Sequence, residues 1–307
     1  MKKSIFCAAA LLFGAVAFAQ NTSNVDQTGV TNKAWVDQSG NNNSDVDQEF
    51  TANRADIDQV GHNYSKVDQK GNVGGNPASG DSNYAKVDQN GGLVTQQRST
   101  VEQQGDRNKA YVDQDGQDNR SNIQQGNGMN AEDNWANAIQ NGDGNRSTIF
   151  QTYDNNRSKV NQQGDDNYAN VRQIARPNQS KGNYSDIEQM GNDNRATSRQ
   201  ETSGAYLAPG YSNVERVKQH DDGNRSILDQ LGDYNRSEVT QSGGVGLNTN
   251  YANVDQDGEM NKSYITQKEQ GLITADNYAK VTQSGMLGNT SHVNQAGANS
   301  AWVNQSN

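Results

Sequence analysis

Residues 32–42 read NKAWVDQSGNN. Asn32, Ala34, Val36 and Gln38 are spaced by two, and Gly40 follows two residues after the glutamine. That spacing is the strand period: in an extended chain these four side chains share one face, while Lys33, Trp35 and Asp37 take the other. The pattern N-x-[AS]-x-[VIL]-x-Q recurs at Asn108, Ala110, Val112 and Gln114, and at Asn261, Ser263, Ile265 and Gln267. Its leading residues run from Asn21 to Asn299 in 23 copies, 19 of which obey it at all four positions. The exceptions are Gln97 in place of the asparagine, Ala138 and Ser198 at the branched position, and Glu215 at the small one. A face held constant over so many copies is the packed face, and the drifting one is solvated.

Working outward, each copy is followed by a short turn. Glycine stands two residues after the glutamine at Gly29, Gly40, Gly105, Gly116 and Gly258, where a tight turn needs positive φ. Copies start mostly 10 or 11 residues apart. The expectation is an all-β chain: a β-solenoid of about eleven two-stranded rungs, with stacked strand-turn-strand repeats and amyloid-like cross-β spacing. A hairpin meander is the alternative; the solenoid is preferred because every strand buries the same face. Equivalent residues then stack about 4.8 Å apart, so Asn and Gln columns become amide ladders along a thin core. One buried Val or Ile contributes roughly 1.5–3 kcal/mol, whereas ordering each residue costs roughly 1–2 kcal/mol. A lone rung is therefore unstable, and a long stack is required.

Composition agrees. The 307 residues are 30% hydrophobic, with 43 Asn and 32 Gln, against about 45–50% apolar for an ordinary globular chain. Residues 1–19 read as a secretory signal: Lys2 and Lys3, an apolar run from Ile5 to Phe18, and Ala17-Phe18-Ala19 at the cleavage site. Residues 20–307 are then a single repeat domain. Cys7 lies in the signal, so the exported chain has no cysteine for disulfides or thiolate metal sites. Losing the two lysines takes the formal charge from −10 to −12, which argues against nucleic-acid binding. No other segment is apolar enough to insert in a membrane. Longer inserts between copies hold all three prolines, Pro77, Pro177 and Pro209, and read as surface loops.

The extended pattern N-x-[AS]-x-[VIL]-x-Q-x-G-x-x-N resembles the curlin repeat family. The family spacing is visible at Ser23-Gln27-Gly29-Asn32-Ala34-Gln38, at Gln103-Gly105-Asn108-Ala110-Gln114 and at Gln256-Gly258-Asn261-Ser263-Gln267. The resemblance implies a major-curlin-like subunit of curli on a Gram-negative bacterium. Such a subunit is secreted through an outer-membrane pore and assembles with itself, with a nucleating homologue as a further partner. Its extracellular fibres, of pilus or fimbrium type, serve adhesion to host or abiotic surfaces and biofilm matrix. The chain departs from the family in having more repeats and in starting them directly after the signal.

The terminal strands are expected to be the subunit–subunit ends: Asn21, Ser23, Val25 and Gln27 at one, Asn299, Ala301, Val303 and Gln305 at the other. Unpaired strand edges there join end to end without closing, which yields a filament. A monomeric exported binding module or adhesin stalk is the alternative. No catalytic constellation, metal set or cofactor site emerges, and His62, His220 and His292 are dispersed. The outward residue before the glutamine is acidic in the first eight copies, from Asp26 to Asp113. Stacked, these residues either bind Ca²⁺ weakly or are screened by solvent and by Lys33, Arg54, Lys66, Lys86 and Lys109; screening is favoured. Tyr64, Tyr84, Trp135, Tyr168, Tyr184, Tyr251 and Tyr278 share an outward position with arginines. They are either sticky towards surfaces or glycans or tolerated between paired strands, and the sequence does not choose.

Overall fold

The computed structural model describes residues 20–71, 82–92, 94–126, 131–176, 181–202, 212–243, 249–269 and 276–307. The signal segment 1–19 and Pro77, Pro177 and Pro209 lie outside the described residues.

Alternating apolar and polar positions produce strands wherever the motif occurs. The first are β1 (Thr22–Val30), β2 (Lys33–Gly40), β3 (Asn43–Thr51), β4 (Arg54–Gly61), β5 (Asn63–Lys70) and β6 (Tyr84–Gly91). Next come β7 (Gln97–Gln104), β8 (Lys109–Gly116), β9 (Arg120–Gln125), β10 (Trp135–Asn141), β11 (Arg146–Thr152) and β12 (Arg157–Gln163). Then follow β13 (Tyr168–Ile174), β14 (Tyr184–Met190), β15 (Arg195–Glu201), β16 (Val214–His220), β17 (Arg225–Asp233) and β18 (Arg236–Ser242). The last are β19 (Tyr251–Glu259), β20 (Lys262–Lys268), β21 (Tyr278–Gly285), β22 (Thr290–Ala296) and β23 (Ser300–Ser306).

Odd-numbered strands form a 12-stranded sheet and even-numbered strands an 11-stranded sheet, each in sequence order. Every pairing is parallel and joins a strand to the next but one, so the chain winds as a two-stranded β-solenoid and not a meander. Register follows the motif: Ala110 lies between Ala85 and Ala136, and Val112 between Val87 and Ala138. Inserts do not disturb it, since Gln59 and Gln89 are adjacent although 30 residues apart in sequence. The inward Val, Ile and Ala residues of both sheets form one continuous core cluster. A one-residue slip would turn that whole set outward, which is why the register holds over every rung.

Most described turns use two left-handed residues, of which the sequence pattern exposes one; the turns after Gly40 and Gly61 use the glycine alone. Gly29, Gly40, Gly105, Gly116 and Gly258 all have φ between 102° and 121°. A Cβ on Gly116 would stand 2.1 Å from the Gly142 carbonyl oxygen of the next rung, so stacking forbids a side chain there. The second is the residue just before the motif asparagine, for example Arg107 (φ 56°), Asp118 (50°), Asp166 (55°) and Asp193 (56°). Aspartate tolerates this region through its short polar side chain.

Candidate functional site: amide ladders and open end strands

The motif glutamines form two unbroken side-chain ladders. In the 11-stranded sheet Gln89 Nε2 donates to Gln114 Oε1 (2.7 Å) and Gln114 Nε2 to Gln140 Oε1 (2.7 Å). The column runs from Gln38, whose Nε2 donates to Gln59 (2.7 Å), to Gln267, which donates to Gln295 (2.8 Å). The 12-stranded sheet repeats this from Gln27, donating to Gln48 (2.6 Å), to Gln283, donating to Gln305 (2.8 Å). Each Nε2 has a second proton, and along most of the stack it crosses to the other sheet: Gln114 donates to the Arg98 carbonyl (3.2 Å) and Gln267 to the Tyr251 carbonyl (3.0 Å). One residue type thus stacks the rungs and ties the two sheets together. Both ladders are polar, every donor pointing towards the β22/β23 end.

The asparagine columns combine side-chain-to-side-chain contacts with contacts to the backbone, which the glutamine ladders do not make in the same way. Asn108 Oδ1 accepts the backbone N–H of Asn134 (3.1 Å), Asn32 Oδ1 that of Asn53 (3.0 Å) and Asn261 Oδ1 that of Asn289 (3.0 Å). Their Nδ2 groups donate to turn carbonyls, as Asn108 does to Ala131 (3.0 Å) and Asn32 to Phe50 (3.1 Å). The amide replaces the backbone partner lost where the chain leaves a turn. Amide-to-amide contacts run along the same columns, as where the Nδ2 groups of Asn134 and Asn289 reach the asparagine below (3.0 Å each) and those of Asn250 and Asn277 do so at 2.8 Å.

Of the remaining motif residues, Ala110, Val112, Ser263 and Ile265 are buried, while Ala34 and Val36 are half-buried against the core. Ser23, Val25 and Gln27 are exposed on β1, where every residue is exposed, and Asn21 just before it is exposed too. On β23, Ala301, Val303 and Gln305 are half-buried. Asn299, just before it, is exposed and its Nδ2 donates to the Ala296 carbonyl (2.7 Å). β1 pairs only with β3 and β23 only with β21 among the described strands, so each carries an open hydrogen-bonding edge.

The acidic residues do stack. Asp26, Asp47, Asp68 and Glu102 form one column, and Asp37, Asp58, Asp88 and Asp113 the other. Burial first, then the like charges above and below, push Asp47 and Asp58 above the usual carboxylate range; burial and then Asp88 raise Asp113. Lys70 lies 3.2 Å from Asp68 and Lys86 3.5 Å from Asp88, so cations are interleaved with the columns. No group of three or more His, Cys, Asp or Glu among the described residues is placed to hold a metal ion. No helix of the described residues is long and apolar enough to cross a membrane.

Outward arginines and aromatics pair with each other along the stack. The Arg157 guanidinium lies 4.4 Å from the Trp135 ring, Arg195 4.7 Å from Tyr168, and Arg54 4.6 Å from Trp35. Tyr251 and Tyr278 stack at 5.1 Å.

Two departures from the motif meet in space, which their positions in sequence do not reveal. Glu215 on β16 is completely buried, and its carboxyl is hydrogen-bonded to the Ser198 hydroxyl on β15 of the opposite sheet. The long side chain at the small position occupies room left by the short one at the branched position. Burial pushes the Glu215 carboxyl up to about 8, with the Ser198 hydrogen bond acting the other way.

A family model described as curlin associated repeat matches residues 100–126 and 248–285. No curated protein matches the chain. The described strands of the matched segments share their register and glutamine ladders with the rungs on either side of them.

Proposed function

We propose that this curlin-repeat β-solenoid is an exported structural subunit that joins end to end with further copies into extracellular cross-β fibres for adhesion and biofilm matrix. The observation that carries the reading is the pair of open ends. β1 and β23 each present an unpaired edge, and the glutamine ladders bring acceptors to one end and donors to the other. A second copy docked end to end continues backbone ladder, amide ladder and core at once. Such a contact is heterologous and does not close on itself. Export through an outer-membrane pore and nucleation by a related protein are part of the same proposal.

The test is incubation of residues 20–307 with thioflavin T, followed by imaging and fibre diffraction. Fibres with a meridional reflection near ~4.8 Å are expected, and growth should slow when a proline-bearing strand is appended at either end. A folded monomer that persists for days would sink the fibre reading in favour of a solitary binding module.

A further inference from the structure

The end-to-end reading leaves open how one copy is turned relative to the next, and the strand count bears on this. The described strands number 23, so β1 and β23 fall in the same, 12-stranded sheet. At the first end β1 is exposed throughout, whereas β2 alternates exposed and half-buried. At the other end β23 alternates exposed and half-buried, whereas the inward residues of β22 are buried. The 12-stranded sheet therefore overhangs its neighbour at both ends. Copies stacked without rotation set overhang on overhang, β23 against β1. A gap one strand wide then separates Ser291, Val293 and Gln295 of β22 from Ala34, Val36 and Gln38 of the next β2.

Resting on the end-to-end reading, we propose that successive copies are related by a half-turn about the solenoid axis. The second copy's β1 continues the 11-stranded sheet over β22, and its β2 continues the 12-stranded sheet over β23. The two sheets accept this exchange because both carry the same four inward positions. Extending the existing register, Val293 and Gln295 meet the second copy's Val25 and Gln27, and Val303 and Gln305 meet its Val36 and Gln38. The half rung at each end becomes one whole rung, and no ladder is interrupted.

A separate observation selects the same arrangement. Trp302 on β23 is 69% exposed and Trp35 on β2 48% exposed, and both occupy the outward position before the branched residue. After a half-turn the two indoles lie directly over one another. Without rotation Trp302 falls on Asn24, and Trp35 faces His292 across the empty strand position. Large aromatic surfaces gain by stacking at such a junction. The fibre then repeats every two subunits, roughly 110 Å at a strand spacing of about 4.8 Å, and the faces of the two sheets alternate along each side.

The only cysteine of the chain is Cys7, so residues 20–307 form a clean background for engineered disulfides. Neighbouring parallel strands hold in-register Cα atoms about 4.8 Å apart, within disulfide reach. Two double variants separate the arrangements, each grown under reducing conditions on wild-type seeds and then oxidised. Thr22→Cys with Thr290→Cys joins copies only after a half-turn, and Thr22→Cys with Ser300→Cys only without one. The expected result is a covalent ladder of multimers from the first and monomer from the second on a denaturing gel. The reverse pattern, or no cross-link in either, overturns the half-turn. Helical reconstruction of wild-type fibres gives an independent reading: the subunit step must be eleven and a half strand spacings with a half-turn added to the twist. A step without the half-turn overturns the inference while keeping the end-to-end reading; absence of fibres removes that reading itself.

Discussion

Glu215 is the residue at which the repeat rule is broken hardest, and its surroundings explain how it survives. Its sheet neighbours are Ser185 and Ser237, and the opposite strand supplies Ser198. No charged group contributes to its titration, so the buried carboxyl stays protonated at neutral pH. The unfolded chain ionises near the ordinary value of 4.5, the folded one only near about 8. Between those values the unfolded state sheds a proton that the folded state keeps. Stability is therefore full below the unfolded value and falls as pH rises through the window, by roughly 1.4 kcal/mol per pH unit. Urea unfolding should give a lower midpoint at pH 8 than at pH 5, and Glu215→Gln should flatten that difference; an unchanged slope would rule out Glu215 as its source. Ser198→Val alone overfills the core and should cost about 1–3 kcal/mol. Adding Glu215→Ser restores the ordinary motif on both strands, so the double variant should be more stable than either single one.

At the level of the strand, the glutamine supplies cohesion that the thin core cannot. Gln114 accepts from Gln89, donates to Gln140 and donates across to the Arg98 carbonyl. Gln114→Leu keeps the volume but strands groups above, below and opposite. Each buried unpaired group costs about 1–3 kcal/mol, and the net loss should be on the order of 3 kcal/mol. Hydrogen exchange should show protection falling first in β6, β8 and β10, the strands that share this ladder. A uniform loss along the molecule would argue against a local role. Strand, inward face and ladder glutamines were all legible from period-two spacing in residues 32–38, because a strand's side chains alternate by geometry alone. The second left-handed turn residue was not, since Thr31, Arg107 and Asp118 share no side-chain type.

Across the whole molecule charge opposes stacking. The chain carries −10 overall, and its acidic columns sit in one half of the solenoid. Burial and like-charge neighbours raise Asp47, Asp58 and Asp113, so ionising them costs more in the folded stack than in the free chain. The sign follows: the contribution of these three groups is greatest below the unfolded carboxylate value of 3.8 and declines as pH rises through the raised folded values. Assembly of residues 20–307 should start sooner near pH 4 than at pH 7, and added salt at pH 7 should shorten the lag by screening the columns. A lag that lengthens on acidification, followed by thioflavin T, would contradict this. The same stacking that concentrates charge also makes the ends decisive, because among the described strands every internal one is paired on both sides and only β1, β2, β22 and β23 are not.

The amino-acid sequence by itself determined the strand period, the face that is buried, the turn glycines and the number of repeats, because all of these are local or additive properties of the chain. Only the tertiary structure decided that Ser198 meets Glu215, that the Asn carboxamides accept backbone N–H groups of the next rung, and that the same sheet overhangs at both ends. Those are relations between residues on different strands. They exist only once parallel stacking has brought distant copies into one register, since pairing across a solenoid depends on winding and not on proximity along the chain.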